Sequence, residues 1–366
     1  MAHTSRPPGS IPLERKDPLV KVDEVAWVIF DKPDLGKVQP FLEDFGLVPA
    51  DVSAEGQFFR GAGPLPYVYL ARPAEKPAFV GGGFLAASRE DLDTLSAATG
   101  RPVEKLERPG GGEVVRLTDP NGFLVEVAYG VERVAPLPFR EEVLPVNTPF
   151  DKPRVNAGQR PPLEPALAWR LGHYVLQSNR FEETAEWYMR HLGLLPSDVQ
   201  CLDDGRPALA FLRTDRGEKP SDHHAFALGR GLAPTFVHCA FEVIDVDSIG
   251  QGNQVMHAAG WNHFWGIGRH ILGSQLFDYW RDPDGHEMEH YSDGDVFDAS
   301  VPTGYSPLTR GGIYAWGEDL PKSFGPQPGL GLLRDVFREL RSGRLDFATL
   351  RQLAGAMGAP ARPWIR

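Results

Sequence analysis

The 366-residue chain has only two cysteines, Cys201 and Cys239, no long apolar run and no cluster of basic residues. Two cysteines exclude a disulfide framework, so we expect a reducing, cytoplasmic setting. No uncharged stretch reaches the length of a bilayer span and residues 1–17 lack the apolar core of a secretory signal, so no membrane partner is expected. A net charge of −11 without a basic stripe argues against nucleic acid as a partner.

Histidine is nearly absent from the first part of the chain and abundant later. Ten of the 11 histidines lie between His173 and His290, and only His3 falls outside this stretch. Imidazole is the commonest metal ligand and the usual proton carrier near neutral pH. Chemistry is therefore expected in the second part of the chain.

The chain contains an internal repeat. The segment Phe45–Asp51 (FGLVPAD) matches Leu192–Asp198 (LGLLPSD), and each follows a segment with apolar residues at helical spacing. Gly46 and Gly193 stand where a glycine commonly ends a helix. The 40 glycines and 34 prolines favour short strands joined by tight turns. Each copy is therefore predicted to contain a strand, a helix and then several strands.

The repeat predicts five segments along the chain. They are an N-terminal arm (1–20), a non-catalytic domain (21–130), a Pro-rich linker (131–165), a metal-binding catalytic domain (166–300) and a partly helical extension (301–366). In the extension, Leu332, Leu333, Val336 and Leu340 follow helical spacing. We expect that helix to pack on the core or to form a subunit contact, without a part in chemistry.

Comparing the two copies shows which residues only the second one has. Three positions correspond: Trp27 to His173, Gly81 to His238, and Glu126 to Glu289. The acid is present in both copies, whereas the two imidazoles are absent from the first. Two histidines and one carboxylate on three strands form the facial triad of non-haem Fe(II) sites. The alternative is that these are ordinary strand histidines and a surface acid, but agreement at three matched positions favours a metal site.

A second difference between the copies concerns length. When the strands ending at Leu70 and Leu212 are matched, eight residues precede Phe79 and 23 precede Phe236. The added segment includes Asp222–Leu228, with a histidine pair that could deliver an imidazole close to the metal for proton transfer. The alternative is a polar loop whose histidines face water.

The segment from residue 268 to residue 289 contains Gly268-Arg-His270, Tyr279, the turn Asp282-Pro-Asp-Gly285 and Glu289. This pattern resembles the signature of the type I extradiol ring-cleaving dioxygenases: Gly-x-His, a spacer, an apolar residue and Tyr, an Asp-Pro-x-Gly turn and a ligand glutamate. These enzymes belong to the vicinal oxygen chelate (glyoxalase–bleomycin resistance–dioxygenase) superfamily. Asp278 departs from the signature, since the family prefers an apolar residue there; the resemblance covers about residues 21–300.

The resemblance implies an α+β fold of tandem βαβββ modules, in two domains that each form an incomplete β-barrel. It implies that His173, His238 and Glu289 bind the metal. His224 resembles the family's acid–base histidine, and His223 is the less favoured neighbour. His270 and Tyr279 resemble the residues that hydrogen-bond substrate or oxygen.

The activity implied is cleavage of a substituted catechol next to its two hydroxyls, with Fe(II), or Mn(II) as the alternative metal, and O₂ as co-substrate. The product would be of the muconic semialdehyde type, the partner a small aromatic diol, and the protein a homo-oligomer. Two alternatives stay open at this point. One is a glyoxalase-like metal-dependent lyase or isomerase, and the other is a non-enzymatic ligand-sequestering protein of the same superfamily.

Overall fold

The structure is a computed structural model that describes residues 10–15, 17–321, 329–343 and 345–358. Most of its strands belong to two large sheets, one of eight strands and one of ten. Helices are few, and in the described part of the chain none is both long and apolar enough to cross a membrane.

The first sheet and its two helices span residues 22–129. In chain order the elements are β1 (Val22–Lys32), α1 (Leu35–Phe45), β2 (Val48–Val52), β3 (Gln57–Arg60), β4 (Tyr69–Pro73), β5 (Ala78–Ala86), α2 (Arg89–Thr99), β6 (Val103–Lys105), β7 (Glu113–Thr118) and β8 (Leu124–Tyr129). The strands lie in the order β2-β3-β4-β1-β5-β8-β7-β6. β1 and β5 are antiparallel neighbours, and each begins a βαβββ module.

The second sheet repeats this arrangement and gains two edge strands. Its elements are β9 (Arg170–Ser178), α3 (Phe181–Leu192), β10 (Leu195–Cys201), β11 (Pro207–Arg213), β13 (Phe226–Arg230), β14 (Thr235–Glu242), α4 (Val246–Ala258), β15 (Asn262–His270), β16 (Leu276–Arg281), β17 (Glu287–Ser292), β19 (Gly304–Pro307) and β20 (Tyr314–Trp316). The order is β19-β10-β11-β13-β9-β14-β17-β16-β15-β20. A small sheet pairs β12 (Ser221–Asp222) with β18 (Val296–Phe297).

The predicted fold class is confirmed. Each sheet joins two βαβββ modules, and both sheets remain open in the described residues, so neither closes into a barrel. A short 3₁₀ turn (Arg310–Gly312) and two helices, α5 (Leu330–Ser342) and α6 (Phe347–Gly358), complete the structure. Between residues 130 and 169 the backbone forms neither helix nor strand.

Helix ends follow local sequence signals. Gly46 and Gly193 end α1 and α3 in the left-handed conformation, with φ of 99° and 70°, which favours glycine. The sequence patterns did not predict α2 and α4, although both helices have N-caps. Ser88 and Asp91 form a reciprocal capping box at α2, and the Asp245 side chain accepts from a backbone N–H at α4.

The two sheets share one continuous core. Phe79 of β5 stacks on Phe236 of β14 with ring centroids 4.5 Å apart, and Phe30 of β1 meets Phe236 edge-on at 5.1 Å. Beside these rings, the buried Lys32 ammonium pairs with Asp282 and Asp284 of the second sheet. The first sheet therefore supports the second through apolar packing and one buried ion-pair cluster.

The strand pairing corrects one match between the copies. β4, which contains Leu70, pairs parallel with β1 as β13 pairs with β9, so its counterpart is β13 and not β11, the strand of Leu212. The counterpart of β11 is β3, since each lies antiparallel to these strands. The predicted insertion of 15 residues is therefore wrong: the loop before β13 (214–225, 12 residues) exceeds the loop before β4 (61–68, eight residues) by four.

Candidate active site

Three adjacent strands bring the predicted triad together. Ala240 of β14 pairs with His173 of β9 on one side and with Glu289 of β17 on the other. His238 lies two residues before Ala240, so its side chain points to the same face of the sheet. Sheet register alone therefore places two imidazoles and one carboxylate on one surface.

The three side chains meet with spacings suited to one metal ion. Glu289 Oε2 lies 3.3 Å from His173 Nε2 and 3.3 Å from His238 Nε2, and the two imidazole nitrogens are 3.4 Å apart. Donors about 2.1 Å from a common ion, at angles between tetrahedral and octahedral, are separated by about 3.0–3.4 Å. The residues present fit a divalent metal held by a facial triad.

Charge at this point also calls for a cation. Glu289 is fully buried, and neither of its carboxylate oxygens has a hydrogen-bond partner in the described part of the chain. Burial raises the pKa of Glu289, but contacts with the surrounding imidazoles outweigh it and hold the pKa well below its usual value, so the group is a carboxylate. A buried carboxylate without a cation is costly, and a bound metal removes that cost.

The first sheet shows the same carboxylate position with a different partner. Trp27, Gly83 and Glu126 are paired like His173, Ala240 and Glu289. There Trp27 Nε1 donates to Glu126, and the Arg108 and Arg116 guanidinium groups pair with it at 2.6 Å and 3.0 Å. In the first copy, two arginines supply positive charge to the buried carboxylate. In the second copy, the described side chains beside the carboxylate are histidines.

His224 lies beside the triad. Its ring centroid is 4.0 Å from that of His173, and both rings are buried. Burial, reinforced by the His173 imidazole, lowers the pKa of His224 well below its usual value, so the ring is neutral. A neutral imidazole can accept a proton from a bound ligand.

His270 and Tyr279 form a hydrogen-bonded pair on the other side. The His270 Nδ1–H donates to the Ile313 carbonyl at 2.9 Å, so a neutral His270 ring has its lone pair on Nε2. Tyr279 Oη is 3.0 Å from that nitrogen. Burial raises the pKa of Tyr279 well above its usual value, so its hydroxyl keeps its proton and can donate.

Comparisons with known proteins identify the family of this chain. Residues 170–290 match the profile of the Glyoxalase/Bleomycin resistance protein/Dioxygenase superfamily. The chain is 31% identical over 319 residues to Metapyrocatechase 2 of Cupriavidus necator, with 83% of this chain and 91% of that protein covered. The chain belongs to the extradiol ring-cleaving dioxygenases of this superfamily.

Solved structures share the fold of this dioxygenase. The Mn(II)-bound glyoxalase from Novosphingobium aromaticivorans superimposes with a TM-score of 0.70 at 24% identity, covering 84% of this chain and 95% of that one. Homoprotocatechuate 2,3-dioxygenase from Arthrobacter globiformis has a TM-score of 0.70 at 22% identity, covering 88% and 95%. The family is metal-dependent, and the triad is its candidate metal site in this chain.

The triad opens on a cavity of about 580 Å³. Five of the six predicted residues line it: His173, His224, His238, His270 and Tyr279. Helices α5 and α6 close its far side with apolar residues, which are Leu332, Val336, Leu350, Leu353 and Ala354. The extension therefore packs against the second sheet, which is one of the two arrangements expected for its helix, and it also forms a wall of the cavity, which was not predicted. The helical spacing of apolar residues in α5 was present in the sequence, but such spacing does not identify the surface on which the helix packs.

Asp278, the departure from the signature, lies behind the site. It is fully buried and accepts hydrogen bonds from Asn253, His263 and Trp280 at 2.7–3.3 Å. Three donors replace the water that the carboxylate loses on burial. A polar residue is therefore accommodated where the family has an apolar one.

Proposed function

We propose that the enzyme cleaves a catechol ring next to its vicinal diol, with His173, His238 and Glu289 holding Fe(II). The observation that carries the proposal is the buried, otherwise uncompensated carboxylate, which meets two imidazole nitrogens within 3.3 Å on the wall of a 580 Å³ cavity. Mn(II) suits the same ligands and is the alternative metal. The chemistry that a bound ion supplies is polarisation of the two diol oxygens and binding of O₂ at open coordination positions.

The remaining residues act on the organic substrate. His224 accepts a proton from a substrate hydroxyl as the diol binds and returns a proton later in turnover. The Tyr279 hydroxyl stays protonated and donates to His270 Nε2, which leaves the Tyr279 oxygen to accept a hydrogen bond from a substrate hydroxyl in the cavity. A positioned acid–base group contributes about 10²- to 10⁴-fold in rate.

The cavity favours a small aromatic diol. The ring would lie between the histidines of β9 and β14 and the apolar wall of α5 and α6. That wall excludes water, which strengthens hydrogen bonds and charge interactions at the diol. The product expected is a muconic semialdehyde-type compound.

Oxygen consumption tests the proposal. Chain loaded anaerobically with Fe(II) is given a panel of substituted catechols, and O₂ uptake is recorded together with the absorbance of the yellow ring-opened product. The expected result is O₂ uptake in proportion to ring opening. Isomerisation or bond cleavage without O₂ would instead indicate a glyoxalase-like lyase, and binding without turnover in air would indicate a ligand-sequestering protein.

Two further properties belong to this proposal. Cys201 and Cys239 are both buried and free, which suits a cytoplasmic enzyme. The homo-oligomer implied by the resemblance stays a prediction, and sedimentation velocity would check it.

A further inference from the structure

A series of hydrogen bonds links the partly exposed Asp198 to the acid–base histidine through a buried His223. Asp198 Oδ2 lies 2.8 Å from His223 Nε2, and His223 Nδ1 lies 3.0 Å from His224 Nδ1. Both histidine side chains are buried, whereas the Asp198 side chain is 21% exposed. The series runs from the β10 strand to the wall of the cavity.

The proton positions along this series of hydrogen bonds follow from the carboxylate. An ionised Asp198 can only accept, so His223 carries its proton on Nε2 and donates it. A neutral His223 then has its lone pair on Nδ1, and His224 must donate from its own Nδ1. A neutral His224 is left with an unprotonated Nε2, the nitrogen that remains for a ligand.

We propose that Asp198 and His223 are positioning residues that fix His224 in the tautomer with its lone pair on Nε2. This inference rests on the proposed function, in which His224 takes a proton from the substrate. In that step the substrate O–H bond breaks and an N–H bond forms at His224 Nε2. The electron pair of the broken bond stays on the diol oxygen. The imidazolium that results keeps its Nδ1–H bond to His223, and the Asp198 carboxylate stabilises its charge without taking a proton.

Space for the central bond comes from a glycine. A Cβ atom on Gly273 would lie 3.0 Å from His223 Nδ1, the atom that accepts from His224. Gly273 also has φ of +79°, which other residues rarely adopt. The backbone therefore comes close enough to hold the His223 ring without displacing it from His224.

The first copy has the aspartate without the relay. Asp51 pairs with Phe58 as Asp198 pairs with Phe211, so the two aspartates are equivalent. Asp51 is exposed and accepts only from the neighbouring Val52 N–H among the described hydrogen bonds. The pairing of β4 with β1 and of β13 with β9 puts Tyr67 at the position of His224. Among the described residues, the relay therefore occurs only in the copy that has the triad. Asp51 is thus a matched control for Asp198.

The first test is Asp198→Asn in iron-loaded, full-length enzyme. The amide removes the negative charge and can donate as well as accept, so the His224 tautomer is no longer fixed. We expect kcat to fall about 10²-fold, within the range of a positioned acid–base group. KM and iron content should change little, and Asp51→Asn should behave as wild type. Equal kcat in Asp198→Asn and Asp51→Asn would overturn the inference.

A second pair of variants decides the matter if Asp198→Asn folds poorly. His223→Asn places an amide oxygen near the position of Nδ1 and can still accept from His224, whereas His223→Leu cannot. We expect the asparagine variant to keep more of kcat than the leucine variant, at similar KM. Equal kcat in the two variants would contradict the relay.

A readout independent of turnover is the ¹⁵N NMR spectrum of His224 in full-length chain loaded with diamagnetic Zn(II). An unprotonated Nε2 in wild type that becomes protonated in part in Asp198→Asn supports the inference, and a protonated Nε2 in wild type overturns it. The proposed function fails separately, if wild-type enzyme consumes no O₂ with any catechol.

Discussion

Glu126 and Glu289 occupy equivalent positions of the two sheets and meet opposite surroundings. Each pairs across the parallel neighbour strand with a small residue, Gly83 or Ala240. Glu126 is neutralised by two arginines, whereas Glu289 faces three histidines. The buried carboxylate is thus paired with guanidinium groups in the first copy and belongs to a candidate metal site in the second.

The two arginines that pair with Glu126 predict a stability effect in the first sheet. Arg108→Leu leaves buried Glu126 with only Arg116, which is partly exposed, and should lower the free energy of unfolding by about 3–5 kcal/mol. Denaturant titration measures this loss. Arg116→Leu is the control and should cost less, because the buried Arg108 pair remains. Equal losses in the two variants would contradict the account.

The ion-pair cluster between the sheets predicts a pH dependence. Burial raises the pKa of Asp282, but the His286 hydrogen bond and the Lys32 charge outweigh it, so the net pKa is lowered. The stabilisation that accompanies this lowered pKa is fully present above the ordinary aspartate pKa of about 3.9. It is lost as pH falls through the pKa of Asp282 in the folded protein.

Lys32→Met removes the charge partner and should cost about 3–5 kcal/mol at neutral pH. Its free energy of unfolding should approach that of wild type below about pH 4. Chemical denaturation at several pH values checks both statements. Lys37→Met, an exposed lysine on α1, should change stability little at any pH. A pH-independent difference between Lys32→Met and wild type would refute this explanation.

The wall formed by α5 predicts a change in substrate range. Leu332 lines the cavity, whereas its neighbour Leu333 is 65% exposed. Leu332→Trp should fill part of the cavity and raise KM for bulky substituted catechols more than for catechol itself. Steady-state kinetics with substrates of graded size measure the effect. Leu333→Trp should leave both KM values unchanged, and a similar rise in that variant would show that the helix does not form the wall.

Local and repeated signals explain what the sequence could predict. The helices ending at Gly46 and Gly193 carry apolar spacing and a left-handed glycine within a few residues, so they were readable. The triad could be predicted because the two copies of the repeat can be compared. Trp27 and Gly81 stand in the first copy where the two histidines stand in the second.

The rest depended on contacts between distant parts of the chain. The match of Leu70 with Leu212 failed because short apolar strands look alike, and only pairing with β1 and β9 distinguishes them. Asp198 gave no sign of its bond to His223, since 25 residues separate them and its counterpart Asp51 faces solvent. Likewise, helical spacing in α5 predicted a helix but not the surface it covers.

The central claim is that His173, His238 and Glu289 bind one divalent metal ion, and iron content measures it most directly. Wild type and His173→Ala are loaded anaerobically with Fe(II), desalted and analysed for iron per chain, with His191→Ala, at the end of α3, as control. We predict stoichiometric iron in wild type and the control and nearly none in His173→Ala. Full iron retention in folded His173→Ala would contradict the account.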